Sequence, residues 1–461
     1  MPSINRISSS YKDPAGFVFI LDKDIYRQVN LIYKSNYDLL INSGLYKKLT
    51  ENSSLIAHVE SDLEVDDTQM YKIIKPTLIP FISYPYEWSF SQLKDAALLT
   101  LGIQRKALLY GMSLKDASAY NIQFFEGKPI FIDTLSFEVY SENKPWVAYK
   151  QFCEHFLAPL ALLAYTDIRL TRFSQIYIDG IPLDLASKLL SWRAKIKPSL
   201  FIHIFLHALK QNKYSDSSLP AKKNIKFNQH SLLAILDNLE DSVKNIKLKI
   251  KKTTWSNYCS DDDCESYENA SLQAKKNIVS NYLDQINSKN LWDIGSNTGL
   301  YSRLAANKGI SVISMDFDEM AVEINYLRIK KSKEKKILPL IIDVVNPSPS
   351  IGWHNEERDS IMLRSFPDAV LALALVHHLA ISKNLPFHKI ANYFAEITQS
   401  LIIEFVPKDD RQVQRLLRSR EDIYTDYDSE NFEKQFGIFF IIKEKKLIQG
   451  SKRYLYLMQK K

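Results

Sequence analysis

The sequence predicts an α/β protein in two parts: an α+β region, then a doubly wound, mostly parallel sheet. Three observations carry this reading. At 461 residues the chain exceeds one ordinary core. From Asn290 the pattern runs strand, tight turn, helix, strand, the order of a parallel βαβ unit. Further on, Asp368–Val376 is a near-continuous apolar run of the kind shown by parallel strands buried on both faces. The organisation that follows is an N-terminal domain over 1–209, a linker and connecting helix over 210–270, and a C-terminal domain over 271–461.

Composition narrows the functional classes. With 46% hydrophobic and 25% charged residues the chain reads as globular. Its longest apolar runs, Phe156–Tyr165 and Ala369–Val376, fall far short of the ~20 residues that span a bilayer. The polar Met1–Lys23 does not read as a signal peptide. A soluble, cytoplasmic protein without a membrane span is expected. Cys153, Cys259 and Cys264 fit a reducing compartment, and the last two bracket an acidic turn that lacks the ligands of a structural zinc site. His203 and His207 stand at i, i+4, but Ile204 occupies the place where a zinc-protease helix carries Glu. No metal site is expected. The net charge of +7 gathers at Lys247–Lys252 and Lys330–Lys336. The second run has no aromatics for bases to stack on, so these read as solvated helix faces, which weighs against a nucleic-acid partner.

In the front half, Phe17–Leu21 and Ile25–Val29 flank Asp22-Lys-Asp24 and predict a hairpin. Leu31–Leu49 predicts a helix, Ser61–Gln69 a loop, Tyr71–Ile74 a strand, and Lys75–Pro85 an extended stretch. Ser89-Phe-Ser-Gln92 is a capping box opening a helix that stops at Gly111. From Asp133 to about Leu209 the chain reads as mostly helical, with Lys210–Asn224 as the linker. Helices are expected over Ser231–Ile250 and Ser271–Ile286, with an irregular stretch between them.

In the back half, Leu291–Leu300 supplies a strand and turn, Tyr301–Lys308 a helix, and Ile310–Asp316 a second strand. Gly295 and Gly299 permit a tight turn and close backbone approach, having no Cβ. Asp316 ends its strand, where a carboxylate can accept from the two hydroxyls of a ribose. Asp343 closes a third strand, Leu338–Val345, where an adenine amino group could be met. Asp368–Val376 is the fourth strand and Ser400–Val406 the fifth; Phe436–Lys443 and Lys452–Met458 form a closing antiparallel pair. Ligands in such sheets bind beyond the strand C-termini, where strand order reverses. The Gly-x-Gly-x-x-Gly of dinucleotide enzymes is absent from Gly295-Ser-Asn-Thr-Gly-Leu300.

The run Asp293-Ile-Gly295-Ser-Asn297-Thr-Gly299 resembles motif I of class I S-adenosylmethionine-dependent methyltransferases, with Asn297 replacing the usual middle glycine. The resemblance covers about Ser271–Lys461. It implies a Rossmann-like, mostly parallel seven-stranded sheet and S-adenosyl-L-methionine as cofactor, held by Asp293, Gly295, Asn297, Gly299, Asp316 and Asp343. The whole chain resembles the nodulation-protein (NoeA-like) type of these enzymes through Tyr84-Pro-Tyr-Glu-Trp-Ser-Phe90, Leu114-Lys-Asp-Ala-Ser-Ala-Tyr-Asn121, Pro145-Trp-Val-Ala-Tyr149 and Leu373-Ala-Leu-Val-His-His-Leu379. That resemblance implies methyl transfer to a carbohydrate or other small metabolite. His377 and His378 follow the fourth strand, and either could take a proton from the acceptor, His377 slightly ahead; strand capping or loop packing is the competing role. Glu404 could line the acceptor pocket, and Trp255, Tyr258 and Tyr267 could fold over the cofactor.

The front half carries a second pattern. Leu114-Lys-Asp116, Asn121 five positions on, and a strand running to Asp133 resemble the catalytic loop and metal-binding Asp of a divergent protein kinase. The departures are a missing Gly-rich loop, Leu114 for His, Leu135 for Gly, and only Arg27 or Lys72 to pair a phosphate. Asp116, Asn121 and Asp133 are thus a candidate nucleotide site. The alternative to an enzyme is a pseudoenzyme or scaffold whose front half binds a nucleotide or a partner. An RNA methyltransferase is a further alternative, resting on a pI near 8.9 alone. Oligomeric state is left open.

Overall fold

The computed structural model describes residues 5–63, 66–206, 228–249, 269–418 and 421–461. The chain divides into two compact units, Met1–Lys249 with Ser350–Arg358, and Ile250–Pro349 with Asp359–Lys461.

The front unit opens with a five-stranded antiparallel sheet: β1 (Asn5–Arg6), β2 (Gly16–Leu21), β3 (Asp24–Asn30), β4 (His58–Ser61) and β5 (Met70–Pro76), ordered β1-β2-β3-β5-β4. The expected hairpin is β2–β3. Its two turn residues, Asp22 and Lys23, both take left-handed φ, as a tight turn matching strand twist requires. The helix expected over Leu31–Leu49 is broken into Lys34–Asn42 and Leu45–Glu51 at Gly44, whose φ is +84°. β4 was not anticipated: it is a short edge strand whose residues are at most half-buried, so it lacks an apolar alternation. Ser89 and Gln92 make the capping box of helix Phe90–Leu109. Beyond it, β6 (Met112–Leu114) pairs with β9 (Phe137–Val139), and β7 (Ile122–Phe125) with β8 (Lys128–Phe131). Leu135 packs into the core with Ala15, Val29, Tyr33, Tyr37 and Ile74.

An excursion from the back half completes this unit. In Ser350–Arg358, Glu357 accepts from the Tyr11 hydroxyl (2.6 Å) and pairs with Lys12 (2.8 Å). The Arg358 guanidinium lies 4.1 Å from the Tyr120 ring centre. Nothing in the sequence marked this segment as belonging to the front unit. The expected linker Lys210–Asn224, with His207, Trp255, Tyr258, Cys259, Cys264 and Tyr267, lies outside the described residues.

The back unit is built on a seven-stranded sheet: β10 (Asn290–Ile294), β11 (Ser311–Asp316), β12 (Ile337–Ile341), β13 (Ala369–Ala372), β14 (Ser400–Phe405), β15 (Phe440–Leu447) and β16 (Tyr454–Lys460). Its order is β12-β11-β10-β13-β14-β16-β15, parallel except for the closing pair. This is the sheet the sequence predicted. Chain order reverses between β10 and β13, where a crevice opens beyond the strand ends. β13 is shorter than the apolar run implied, because Ala374 turns into the left-handed region (φ +51°) and bends the chain away. The core joins Leu291, Val312, Leu371 and Ile402 of the sheet to Val279, Tyr282 and Leu283 of helix Asn269–Gln285.

A fully buried carboxylate, Glu404 of β14, knits these pieces together. It pairs with Lys275 (2.6 Å) and Arg453 (3.3 Å) and accepts the Ala374 amide (2.8 Å). Arg453 in turn makes a two-pronged pair with Asp410 (2.8 and 3.0 Å). Substituting Glu404→Ala withdraws the carboxylate from two buried cations and should cost this unit about 3–5 kcal/mol. A denaturant titration of the full chain, followed by hydrogen exchange in β14 and β16, checks this; an unchanged β14 would refute it.

Candidate functional site

The crevice at the reversal of strand order holds a cavity of about 370 Å³. Its floor is the β10–helix turn. Gly295 (φ +76°) and Gly299 (φ +81°) both hold left-handed backbone there. A Cβ on Gly299 would fall 2.5 Å from the Asn325 side chain, so this position takes only glycine. On Gly295 a Cβ would merely touch Leu375 at 3.5 Å, but both residues line the cavity, so a long side chain would fill it. Asn297, where the family motif has glycine, also takes left-handed φ (+51°), which Asn tolerates better than most residues. Its amide donates to Asp316 Oδ2 (2.7 Å), and the Asp318 amide donates to Oδ1 (2.9 Å). Each carboxylate oxygen keeps a further lone pair for a ligand hydroxyl.

Asp293, Gly295, Asn297, Asp316 and Asp343 all line the cavity, while Gly299 sits just behind it at the helix N-terminus. Asp316 is the last residue of β11, as expected. Asp343 stands two residues past β12, with Oδ1 accepting the Val345 amide (2.9 Å). Asp293 accepts the Ser302 hydroxyl (2.6 Å). Burial pushes the carboxyls of Asp293 and Asp316 up to about 6 from an ordinary value of 3.8. Both therefore hold a proton more readily than an ordinary carboxyl, although hydrogen bonds from Ser302 and from the Asn297 and Asp318 amides favour the anion.

The two histidines separate. His378 lines the cavity, whereas His377 does not; it is fully buried, and neither of its ring nitrogens has a hydrogen-bond partner among the described residues. Burial, with the charge of Arg453, pushes His378 down to about 4, so its ring is neutral at physiological pH. Glu404 is absent from the cavity wall because the buried ion pairs consume it. Its partner Lys275 lines the wall instead, with Tyr301. The Tyr301 hydroxyl is buried without a hydrogen-bond partner among the described residues, and Lys275 Nζ lies 4.9 Å from its ring centre. Sequence reasoning missed both. Lys275 lies in a helix 18 residues ahead of the motif's Asp293, and in the sequence Tyr301 reads simply as the first residue of a helix. Phe317, half exposed beside Asp316, was missed too.

In the front unit Asp116, Asn121 and Asp133 do come together. The Asn121 amide donates to Ser136 Oγ (3.2 Å), whose hydroxyl donates to Asp133 Oδ2 (2.5 Å), and Asp133 is paired with Arg27. Burial works to raise the Asp133 carboxyl, but Arg27 and the Ser136 hydroxyl hold it below its ordinary value. Burial raises Asp116. Lys72 is occupied with Glu60 (2.6 Å). Among the described residues no group of His, Cys, Asp and Glu is arranged to hold a metal ion.

Sheet order and a glycine-floored cavity at the strand reversal define an α/β protein of the methyltransferase-like class. The chain belongs to the family of nodulation protein NoeA: it is 34% identical to NoeA of Rhizobium meliloti (strain 1021) over 469 residues, spanning 100% of this chain and 97% of that protein. No protein-family model matches the chain. Among solved structures, the N-methyltransferase NodS of Bradyrhizobium japonicum WM9 overlaps 42% of this chain and 98% of its own, at 12% identity and a TM-score of 0.31. The magnesium protoporphyrin IX methyltransferase ChlM of Synechocystis PCC 6803, with bound SAH, overlaps 44% of this chain and 90% of its own, at 15% identity and 0.34. The bifunctional kinase-methyltransferase WbdD overlaps 42% of this chain and 40% of its own, at 15% identity and 0.31. Overlaps this loose bear on neither ligand nor chemistry. No helix among the described residues is long and apolar enough to cross a membrane.

The Gly299 contact gives a direct test of the turn. Gly299→Ala should destabilise the back unit by about 1–3 kcal/mol through left-handed strain and the Asn325 clash, whereas Gly295→Ala should cost only the backbone part. Melting temperatures of the two variants, measured side by side, check the difference.

Proposed function

We propose that the back unit transfers a methyl group from S-adenosyl-L-methionine to a carbohydrate or other small metabolite. The observation that supports this most is Asp316, at the strand end, with both carboxylate oxygens already oriented by backbone amides and still able to accept from a ribose. The glycine turn leaves room beside it. Asp343 would meet the adenine, Asp293 the ammonium group, and the Tyr301 hydroxyl, which lacks a partner, with Lys275 the carboxylate. The cofactor supplies an electrophilic methyl on a sulfonium, an excellent leaving group. The protein's work is therefore alignment, which is worth ~7–11 kcal/mol of the barrier.

His378 is the residue on the wall that can take a proton from a hydroxyl acceptor, since its neutral ring keeps a lone pair at pH 7. His377, outside the wall, is assigned to packing. A domain organisation of N-terminal region, connecting segment and transferase follows from the same reading.

A second reading, a nucleotide site in the front unit, is favoured by the convergence of Asp116, Asn121 and Asp133. A rise in melting temperature with magnesium and ATP, lost in Asp133→Ala, supports it. No rise leaves the Arg27–Asp133 pair a structural clamp.

Calorimetric titration with S-adenosylhomocysteine tests the main reading. Binding should be lost in Gly295→Arg and fall at least about tenfold in Asp316→Ala, as the loss of one charge-assisted hydrogen bond implies. Acid should weaken it as well. In the unliganded protein these two aspartates have raised values, so they favour folding most below about pH 4 and lose that contribution as pH rises through about 6. Ligand hydroxyl and ammonium donors need the anions, so affinity should fall as pH drops below about 6 and level off above it. In Asp316→Asn this acid limb should shrink; an unaltered limb would mean that Asp316 does not meet the ligand. With an acceptor in hand, His378→Ala should lower kcat about 10²–10⁴-fold if a hydroxyl is methylated.

A further inference from the structure

Six large apolar side chains of the front unit stand exposed within residues 189–206: Leu189, Trp192, Ile196, Phe201, Ile202 and Leu206. Trp192 and Ile196 are 66% and 70% exposed. They sit on, or directly follow, the short helical segments Leu183–Leu189, Trp192–Lys195, Pro198–Leu200 and Phe201–Phe205, which pack against one another and bury Leu183, Ala186, Ala194, Leu200 and Ile204. The exposed face is thus a built surface and not a frayed end.

Its charge has one sign. Lys188, Arg193, Lys195 and Lys197 are all exposed, and residues 188–206 contain no Asp or Glu. Lys188 reaches Asp184 at 3.7 Å, while Arg193, Lys195 and Lys197 lie over the rings of Trp192, Phe205 and Tyr165. Cations with apolar stems beside bulky side chains suit a boundary that is anionic at its surface and oily beneath. The other occupants fit less well. A second copy across a twofold axis would set this cationic face against itself. Single-stranded nucleic acid stacks on aromatics, whereas four of the six side chains are aliphatic.

We propose that the face formed by residues 188–206 docks the protein reversibly on an anionic lipid surface. Trp192 and Ile196 enter the headgroup–acyl boundary, and the four cations meet lipid phosphates. This docking does not depend on what the back unit's cavity binds.

The experiment is co-sedimentation of the full chain with vesicles of phosphatidylcholine, with and without phosphatidylglycerol. Binding is expected only where phosphatidylglycerol is present, and it should weaken as salt is raised. Arg193→Gln/Lys195→Gln should reduce affinity about thirtyfold, at the usual contribution per cation near such a surface. Trp192→Ser/Ile196→Ser should abolish binding, and both variants should keep the wild-type melting temperature, since the substituted side chains are exposed. Failure of the wild-type chain to bind anionic vesicles would overturn the proposal. So would binding that survives both double substitutions. A concentration-dependent dimer dissociated by Trp192→Ser/Ile196→Ser, without vesicle binding, would assign the face to a second copy instead.

Discussion

The back unit depends on a carboxylate that water never reaches. Glu404 sits at 0% exposure between Lys275 and Arg453, and a charge so placed persists only if its partners are held in position. Those partners come from distant parts of the chain. Lys275 rides on the helix ahead of the sheet, Arg453 precedes β16, and Asp410, the second partner of Arg453, caps the helix Arg411–Leu417. The Ala374 amide adds the bend after β13. One residue thereby fixes how the leading helix, the closing strands and the bend meet at the edge where the cavity opens. Apolar packing of the same volume would give comparable stability. It would not tie the bend at Ala374 to the ends of β14 and β16.

That bend matters because it shapes a wall. Had β13 run straight through Asp368–Val376, the two histidines would project on alternate faces of an extended strand. The left-handed turn at Ala374 instead starts a helical segment in which successive side chains point about 100° apart. His378 therefore reaches the cavity while His377 is buried behind it, their ring centres 4.0 Å apart. Sequence alone put His377 slightly ahead of His378. The decisive quantity was a backbone angle at an alanine, a residue type that seldom signals positive φ.

What could be read from the sequence was what local chemistry dictates. Gly295 and Gly299 stand where the chain must adopt left-handed φ, and Asp316 stands where a strand ends, so spacing located both the turn and the carboxylate. The capping box at Ser89 and Gln92 and the hairpin at Asp22-Lys23 were legible for the same reason. Long-range pairings were not. Glu404 looked like a pocket residue because glutamate at a strand end usually faces solvent or ligand, and its two cations lie 129 and 49 positions away. Lys275 and Tyr301 reached the cavity through helix placement, which no motif encodes. The edge strand β4 escaped because its side chains have no apolar face to alternate, and Ser350–Arg358 because its anchors, Tyr11, Lys12 and Tyr120, are remote.

The buried network also settles the charge of the cavity. Its wall carries Asp293, Asp316 and Asp343 against Lys275 and Lys383. The cationic donor of the proposed reaction would be repelled by an unbalanced ammonium group at close range. Glu404, 2.6 Å from Lys275 and outside the wall, cancels most of that field while leaving the ammonium able to donate hydrogen bonds. Burial pulls Lys275 toward deprotonation and Glu404 works against it, so the ion pair is what keeps a proton available there. The cavity is thus left with an excess of carboxylate, the sign that suits a sulfonium, and with one cation whose charge is balanced from behind. A pocket for a dinucleotide, with its pyrophosphate, would want the reverse, and neither the glycine spacing nor this balance of charge supplies it.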